Sequence, residues 1–251
     1  MIKNQPAFEH LIAQALRQDF SGWDFSFLAG RWHANALSWD YQRIVFDASR
    51  HVDSLLDLGT GGGEVLSRLV PFPAITWATE SYPPNAPVAG KRLAPLGCQV
   101  IQCSSDGNFP FGNDQFEMVI NRHESIPASE IYRILKPGGV FITQQVGGQH
   151  NVRLNELLGG GEYADAYWTL EYACRELERA GFQIVERRDE HPPLRFDDIG
   201  AIVYYLKVIT WQIADFSVDK YYQPLVELHN RIQDEGGLEV ASHYFYIEAK
   251  K

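Results

Sequence analysis

Cysteine is scarce. The 251 residues hold three, Cys98, Cys103 and Cys174, with no Cys-x-x-Cys among them. An odd, scattered set disfavours a disulfide framework and a zinc knuckle, so no metal is expected. Free thiols suit a reducing cytoplasm. Long hydrophobic runs are missing as well. The most apolar stretch, residues 201–214, is broken by Lys207 and Gln212. It falls short of the roughly 20 residues that a bilayer span takes, and the N-terminus, MIKNQPAFEH, has no apolar signal core. A cytoplasmic protein with no membrane partner is the expectation. Basic charge is in deficit: 22 Lys and Arg stand against 32 Asp and Glu, a formal charge of −10. Non-specific phosphate binding needs clustered cations, so nucleic acid is disfavoured as a partner, although a local basic patch stays open. Repeats and low-complexity tracts are also absent, which removes solenoids and disordered linkers.

What is present is a core and a rhythm. Apolar residues make up 45% of the chain, enough for a sizeable interior. Phe8, Leu11, Ile12, Ala15 and Leu16 recur at helical spacing over residues 6–18. Residues 20–42 are rich in aromatics, Trp32, Trp39 and Tyr41 among them. From residue 52 the pattern turns to strand, turn, helix. Short apolar strands are predicted over 54–58, 75–79, 98–102, 116–120, 140–145 and 182–188. Helices are predicted over 64–70, 85–95, 129–135 and 170–180. Such alternation implies a parallel sheet covered by helices on both faces. Helices are further expected over 199–214, capped by Asp197 or Asp198, and near 220–234. Leu238–Ala249 is expected to be a single strand.

The strongest local signal is Leu56-Asp57-Leu58-Gly59-Thr60-Gly61-Gly62-Gly63-Glu64, a strand entering a glycine turn. Glycine permits positive φ and close approach of backbone to a ligand. Such a turn makes a nucleotide-type pocket at the carboxyl ends of the strands. A dinucleotide site wants Gly-x-Gly-x-x-Gly, and here the sixth position is Glu64. Adenosine with a methionine tail carries no phosphate and tolerates that carboxylate. Glu80 ends the second strand, 21 positions after Gly59, where a carboxylate accepts two ribose hydroxyls. Ribose alone does not separate the two cofactor classes.

Four segments together resemble the class I S-adenosylmethionine-dependent methyltransferases. They are Leu55 through Gly63, Thr79-Glu80, Phe109-Pro110-Phe111 with Gln115-Phe116-Glu117-Met118-Val119, and Ile131 through Leu135-Lys136-Pro137-Gly138-Gly139. The resemblance spans residues 52–146. It implies a doubly wound, Rossmann-like α/β fold with a seven-stranded, mostly parallel sheet and one antiparallel strand at its edge. Beside the S-adenosylmethionine-binding domain expected over 51–251, the pattern of the chain itself predicts an N-terminal helical cap over residues 1–50 and a helical insertion or lid over 196–235. The resemblance also implies roles. The Gly59, Thr60, Gly61 and Gly63 backbone holds the methionine end, Asp57 orders the turn, and Glu80 binds the ribose. Asp106, flanked by Ser105 and Gly107, meets the adenine; the family's usual acid position falls on Ser105. Asn121 contacts the amino-acid group or the methyl end.

Methyl transfer from a sulfonium is an in-line displacement that needs alignment and a dry cavity. A base is needed only if the acceptor atom carries a proton. The strand over 116–120 runs out into Asn121-Arg122-His123-Glu124. His123 is the candidate general base, and Glu124 would orient it or bind a cationic acceptor. His150 is a weaker candidate, favoured as structural. No Asn-Pro-Pro-Tyr follows Ile120, which disfavours the exocyclic-amine and glutamine methylases. The leading expectation is an enzyme that methylates an O or N atom of a small molecule, with a homodimer left open. One alternative is an RNA-modifying methyltransferase using Arg17, Arg31, Arg43 and Arg50. Another is a non-catalytic relative that only binds S-adenosylmethionine.

Overall fold

The computed structural model describes residues 1–20, 24–105, 107–161 and 163–251. Asp106 lies outside them. The chain forms two compact units, one of Met1–Leu37, Gly147–Tyr167 and Glu190–His243, the other of Ser38–Val146, Trp168–Asp189 and Tyr244–Lys251. In chain order the helices are α1 (Gln5–Arg17), α2 (Tyr41–Ser49), α3 (Asn85–Leu93), α4 (Ala128–Ile134), α5 (Val152–Leu158), α6 (Leu170–Ala180), α7 (Ile199–Val208) and α8 (Tyr222–Glu235). The strands are β1 (Trp32–Ala34), β2 (Ser54–Leu58), β3 (Ile75–Glu80), β4 (Cys98–Gln102), β5 (Phe116–Arg122), β6 (Leu135–Val146), β7 (Gln183–Glu190), β8 (Pro193–Phe196), β9 (Leu238–Ala241) and β10 (Tyr244–Lys250).

The second unit is built on a seven-stranded sheet in the order β4-β3-β2-β5-β6-β10-β7. Strands β4, β3, β2, β5 and β6 pair in parallel. All five residues of β2 are buried, as a central strand covered on both faces must be. The antiparallel strand, β10, pairs with β6. It sits one position inside the sheet, not at the edge, because β7 flanks it. Helix α6 shows how the sequence sets the covering layer. Its buried residues, Leu170, Ala173, Cys174 and Leu177, follow helical spacing. Thr169 caps its start by accepting from the Tyr172 amide, and Gly181 ends it at φ 109°. Leu177 packs into one apolar core with Phe116, Phe141, Phe182 and Phe245.

The first unit packs α1, α5, α7 and α8 with a three-stranded antiparallel sheet, β1-β8-β9. Helix α7 is capped by Asp198, which accepts from the Ala201 amide and pairs with Arg31. Eight of its ten residues are buried, so it is the centre of this unit's core. At about 1.5–3 kcal/mol for each large apolar side chain buried, α7 contributes more than any surface helix.

Several expectations need correction. The predicted helix over 64–70 is a single 3-10 turn, Leu66–Arg68. Pro71 follows Val70, and a residue before proline is pushed out of the α region. The predicted strand over 238–249 is two strands in two different sheets, β9 and β10. The helix expected to reach residue 214 ends at Val208. The Lys136-Pro137-Gly138-Gly139 stretch bulges out of β6: Phe116 pairs with Leu135 and Met118 with Val140.

Candidate cofactor cleft and acceptor-side residues

The cleft lies at the carboxyl ends of β2, β3 and β5. Strand β2 delivers Asp57 and Leu58 into a turn where Gly59, Gly61 and Gly63 have φ values of 70°, 63° and 79°. Side chains other than glycine are strained there. Glu80, 4% exposed at the end of β3, ties this turn down. Its Oε2 accepts from the Gly61 amide at 2.7 Å and its Oε1 from the Tyr82 amide at 2.8 Å. The Thr60 amide donates to the Thr79 carbonyl at 2.9 Å. Two residues 19 positions apart in sequence are thereby held as one surface. Burial raises the Glu80 pKa, the Tyr82 and Gly61 amides oppose that, and the Glu124 charge adds to it.

Asp57 is buried beneath the turn. Burial pushes its pKa up to about 7, helped by the Glu80 charge and opposed by that of Arg122. The folded protein therefore keeps a proton that the unfolded chain releases near the ordinary value of 3.8. Stability falls as pH rises from about 4 to about 7 and levels off above that. Between about pH 5 and about pH 8 the expected loss is about 3 kcal/mol, from 1.36 kcal/mol per pKa unit. Asp57→Asn removes that slope. Thermal melts of both proteins at the two pH values test this, and parallel slopes would count against a buried, protonated Asp57.

Glu124 lies across the first glycine. A Cβ at Gly59 would stand 2.5 Å from Glu124 Cγ and 2.7 Å from its Cβ. Its Oε1 accepts from the Ser125 amide at 2.9 Å. The cavity beside it, between Thr79, Ser105, Phe109 and Glu124, holds ≈ 10 Å³, about one water molecule. The Glu124 side chain fills the space over the first glycine. The expected adenine side is described in part: the Ser105 carbonyl accepts from the Ser125 hydroxyl at 2.9 Å. Gly107, at φ 95°, abuts Pro127.

Asn121 was expected to meet the cofactor, and its side chain is spent elsewhere. It is fully buried, its Nδ2 donates to the Ser125 carbonyl at 3.0 Å, and its Oδ1 accepts from the Thr143 hydroxyl at 3.1 Å and from Gln145 Nε2. It braces β5 against β6. His123 follows in a left-handed conformation, φ 62°. Its amide donates to the Gln144 carbonyl at 2.9 Å, and its ring lies 5.9 Å from that of Tyr244. The Gln144 amide nitrogen is 3.2 Å from His123 Nε2. Gln144 Oε1 in turn accepts from Trp39 Nε1 at 2.9 Å, and the Tyr41 hydroxyl donates to the Asn121 carbonyl at 3.1 Å. Gln144 escaped the sequence reading. Its only signal was two adjacent glutamines inside an otherwise apolar strand.

His150 is buried in the first unit, and burial lowers its pKa to about 4. Its Nδ1 accepts from the His243 amide at 3.1 Å, which supports the structural reading.

Residues 56–143 match a sequence-family model described as a methyltransferase domain. No curated protein matches the chain. Among solved structures, a candidate methyltransferase from Bacillus halodurans C-125 is similar at 20% identity and a TM-score of 0.57, covering 84% of this chain and 98% of that one. A candidate sarcosine dimethylglycine methyltransferase from Galdieria sulphuraria is similar at 15% identity and a TM-score of 0.51, covering 83% and 82%. The [4+2]-cyclase SpnF is similar at 17% identity and a TM-score of 0.52, covering 98% and 94%. At such identities these likenesses establish the fold. The matched model adds that residues 56–143 carry the sequence pattern of a methyltransferase domain. No helix among the described residues is long and apolar enough to cross a membrane.

Proposed function

We propose that this chain moves the methyl group of S-adenosylmethionine to an O or N atom of a small molecule in the cytoplasm. One observation carries the cofactor reading: the buried Glu80 carboxylate is bonded to the Gly61 amide of a left-handed glycine turn. Each Glu80 oxygen uses one lone pair on backbone and keeps another for a ribose hydroxyl. The turn, lacking Cβ atoms at Gly59, Gly61 and Gly63, lets a methionine tail come close to the backbone once the Glu124 side chain turns away. These residues fit the cofactor. When bound, it supplies an electrophilic methyl group on a sulfonium.

The chain's own part is to bind, align and keep water out. Gly59, Thr60, Gly61 and Gly63 hold the methionine end, with Asp57 beneath. Glu80 holds the ribose, and Ser105 and Gly107 flank the adenine. His123 and Glu124 stand at the acceptor side. The Galdieria neighbour is named for sarcosine and dimethylglycine, which supports including amino acids among the acceptors tried. An RNA acceptor loses weight because two of the four arginines once grouped as a basic strip are neutralised: Arg31 by Asp198 and Arg43 by Asp47.

Transfer of a radiolabelled methyl group to a panel of small carboxylates, phenols, amines and RNA tests this reading. Label moving to a small oxygen or nitrogen compound is the expected result. Label moving only to RNA, with binding that weakens steeply in salt, would overturn the small-molecule acceptor.

A further inference from the structure

Arg122 is the last residue of β5 and is exposed. Strand β2 stops at Leu58, level with Asn121. The next position on that side is Gly59, the first residue of the glycine turn, which has no side chain to cover Arg122. On the other side Arg122 is level with Gln144, and Gln144 with Tyr246. Residues level with one another share a sheet face. Trp39 covers that face at Gln144 and Tyr246, with a 2.9 Å hydrogen bond to the first and a ring separation of 6.3 Å from the second. The row is therefore buried at Tyr246 and Gln144 and open at Arg122, beside the turn. Burial raises the pKa of Asp57, Tyr41 and Tyr244, and the Arg122 charge opposes it in all three. The guanidinium thus acts on the cleft end of the sheet. Other cations of this unit are paired: Arg43 with Asp47, Arg92 with Glu64 and Arg133 with Glu130. Among the described residues no carboxylate pairs with Arg122. Glu124, two positions on, lies over Gly59 and accepts from the Ser125 amide instead.

We propose that Arg122 is the specificity-determining residue that binds a carboxylate on the methyl acceptor. Its guanidinium offers five N–H donors in a rigid fork that matches a carboxylate. Glu80 and Glu124 stand in the same cleft, so an anionic acceptor would meet only like charge there without a cation to offset it. Arg122 supplies that cation without having to break an internal ion pair first. The carboxylate is a handle: it fixes the acceptor whichever of its atoms takes the methyl group. The inference rests on the proposed function and narrows its acceptor from any small oxygen or nitrogen compound to a small organic acid.

The test is transfer of radiolabelled methyl to hydroxybenzoates and amino acids, each run beside its own carboxamide. The wild type is expected to prefer the acid, and Arg122→Gln to cut that preference in kcat/KM by about 10- to 100-fold, the worth of one charged hydrogen bond or two. Arg122→Lys keeps the charge without the fork and is expected to fall between. Equal use of acid and carboxamide by the wild type would overturn the proposal, as would an unchanged preference in Arg122→Gln. Titration with S-adenosylhomocysteine and 5′-methylthioadenosine reads the cofactor side, since only the first has a carboxylate. If Arg122→Gln weakens the first by about tenfold or more and leaves the second unchanged, the guanidinium holds the cofactor's own carboxylate and the proposal falls. A readout without turnover is ¹⁵N-arginine NMR on the full chain, with the Arg122 Nε–H signal identified by its loss in Arg122→Lys. That signal is expected to move with added benzoate and to stay with benzamide; a signal that ignores benzoate would overturn the proposal. This last readout needs no cofactor. Absence of S-adenosylmethionine binding would therefore sink the proposed function, while the benzoate response still decides whether Arg122 takes a carboxylate.

Discussion

Glu80→Ala is expected to weaken S-adenosylmethionine binding by roughly 100- to 10,000-fold. The estimate takes two charge-assisted hydrogen bonds to ribose at about 1.5–3 kcal/mol each, with about 1.4 kcal/mol per tenfold in affinity. The effect is this large because nothing else described in the cleft replaces a carboxylate at that spot. The same substitution removes the acceptor for the Gly61 and Tyr82 amides, so the turn itself loosens. Glu80→Gln separates the two effects. It keeps one oxygen and is expected to fall between wild type and Glu80→Ala. Calorimetric titration reads all three, and an affinity for Glu80→Ala within a factor of about three of wild type would remove Glu80 from the ribose site.

Gly59→Ala is the second large effect, and it separates backbone strain from collision. A φ of 70° costs an alanine roughly 1–2 kcal/mol, and its Cβ meets the Glu124 side chain. For a chain of this length, about 1 kcal/mol corresponds to roughly 2–4 °C in Tm. Gly59→Ala is expected to lose more than the strain alone accounts for. Glu124→Gly added to it, which removes Cβ as well as Cγ, should recover the collision part and leave the strain. Equal melting of Gly59→Ala and the double variant would show that Glu124 does not lie over the turn. The single variant Glu124→Ala also opens the ≈ 10 Å³ cavity. Faster association of S-adenosylmethionine with it is the expected companion result.

The glycine turn was legible because positive φ leaves almost no choice of residue, and its strand is short, apolar and followed at once by those glycines. The seven-stranded sheet was legible in the same way, since β2, β5 and β6 are apolar runs between clear breaks. The small sheet was not. Strands β1, β8 and β9 have three or four residues each, their partners are far apart in sequence, and β8 starts at Pro193. Leu238–Ala249 read as one strand because both halves are apolar. The bend between them is Ser242-His243, two buried polar residues whose role depends on folding. The pairing of Glu80 with the turn was legible from their spacing in the sequence. The bracing role of Asn121 was not legible, because a polar residue at a strand end looks the same whether it faces a ligand or braces a neighbour. Gln144 was invisible for a related reason: its importance lies in Trp39 and His123, 105 and 21 positions away.

Calorimetric titration of the wild-type chain with S-adenosylmethionine, S-adenosylhomocysteine and NADH tests the central claim most directly. Micromolar-range binding of the first two, with none of NADH, is predicted from a glycine turn and a buried Glu80 shaped for ribose and a methionine tail. Binding of NADH alone, or of none of the three, would contradict it.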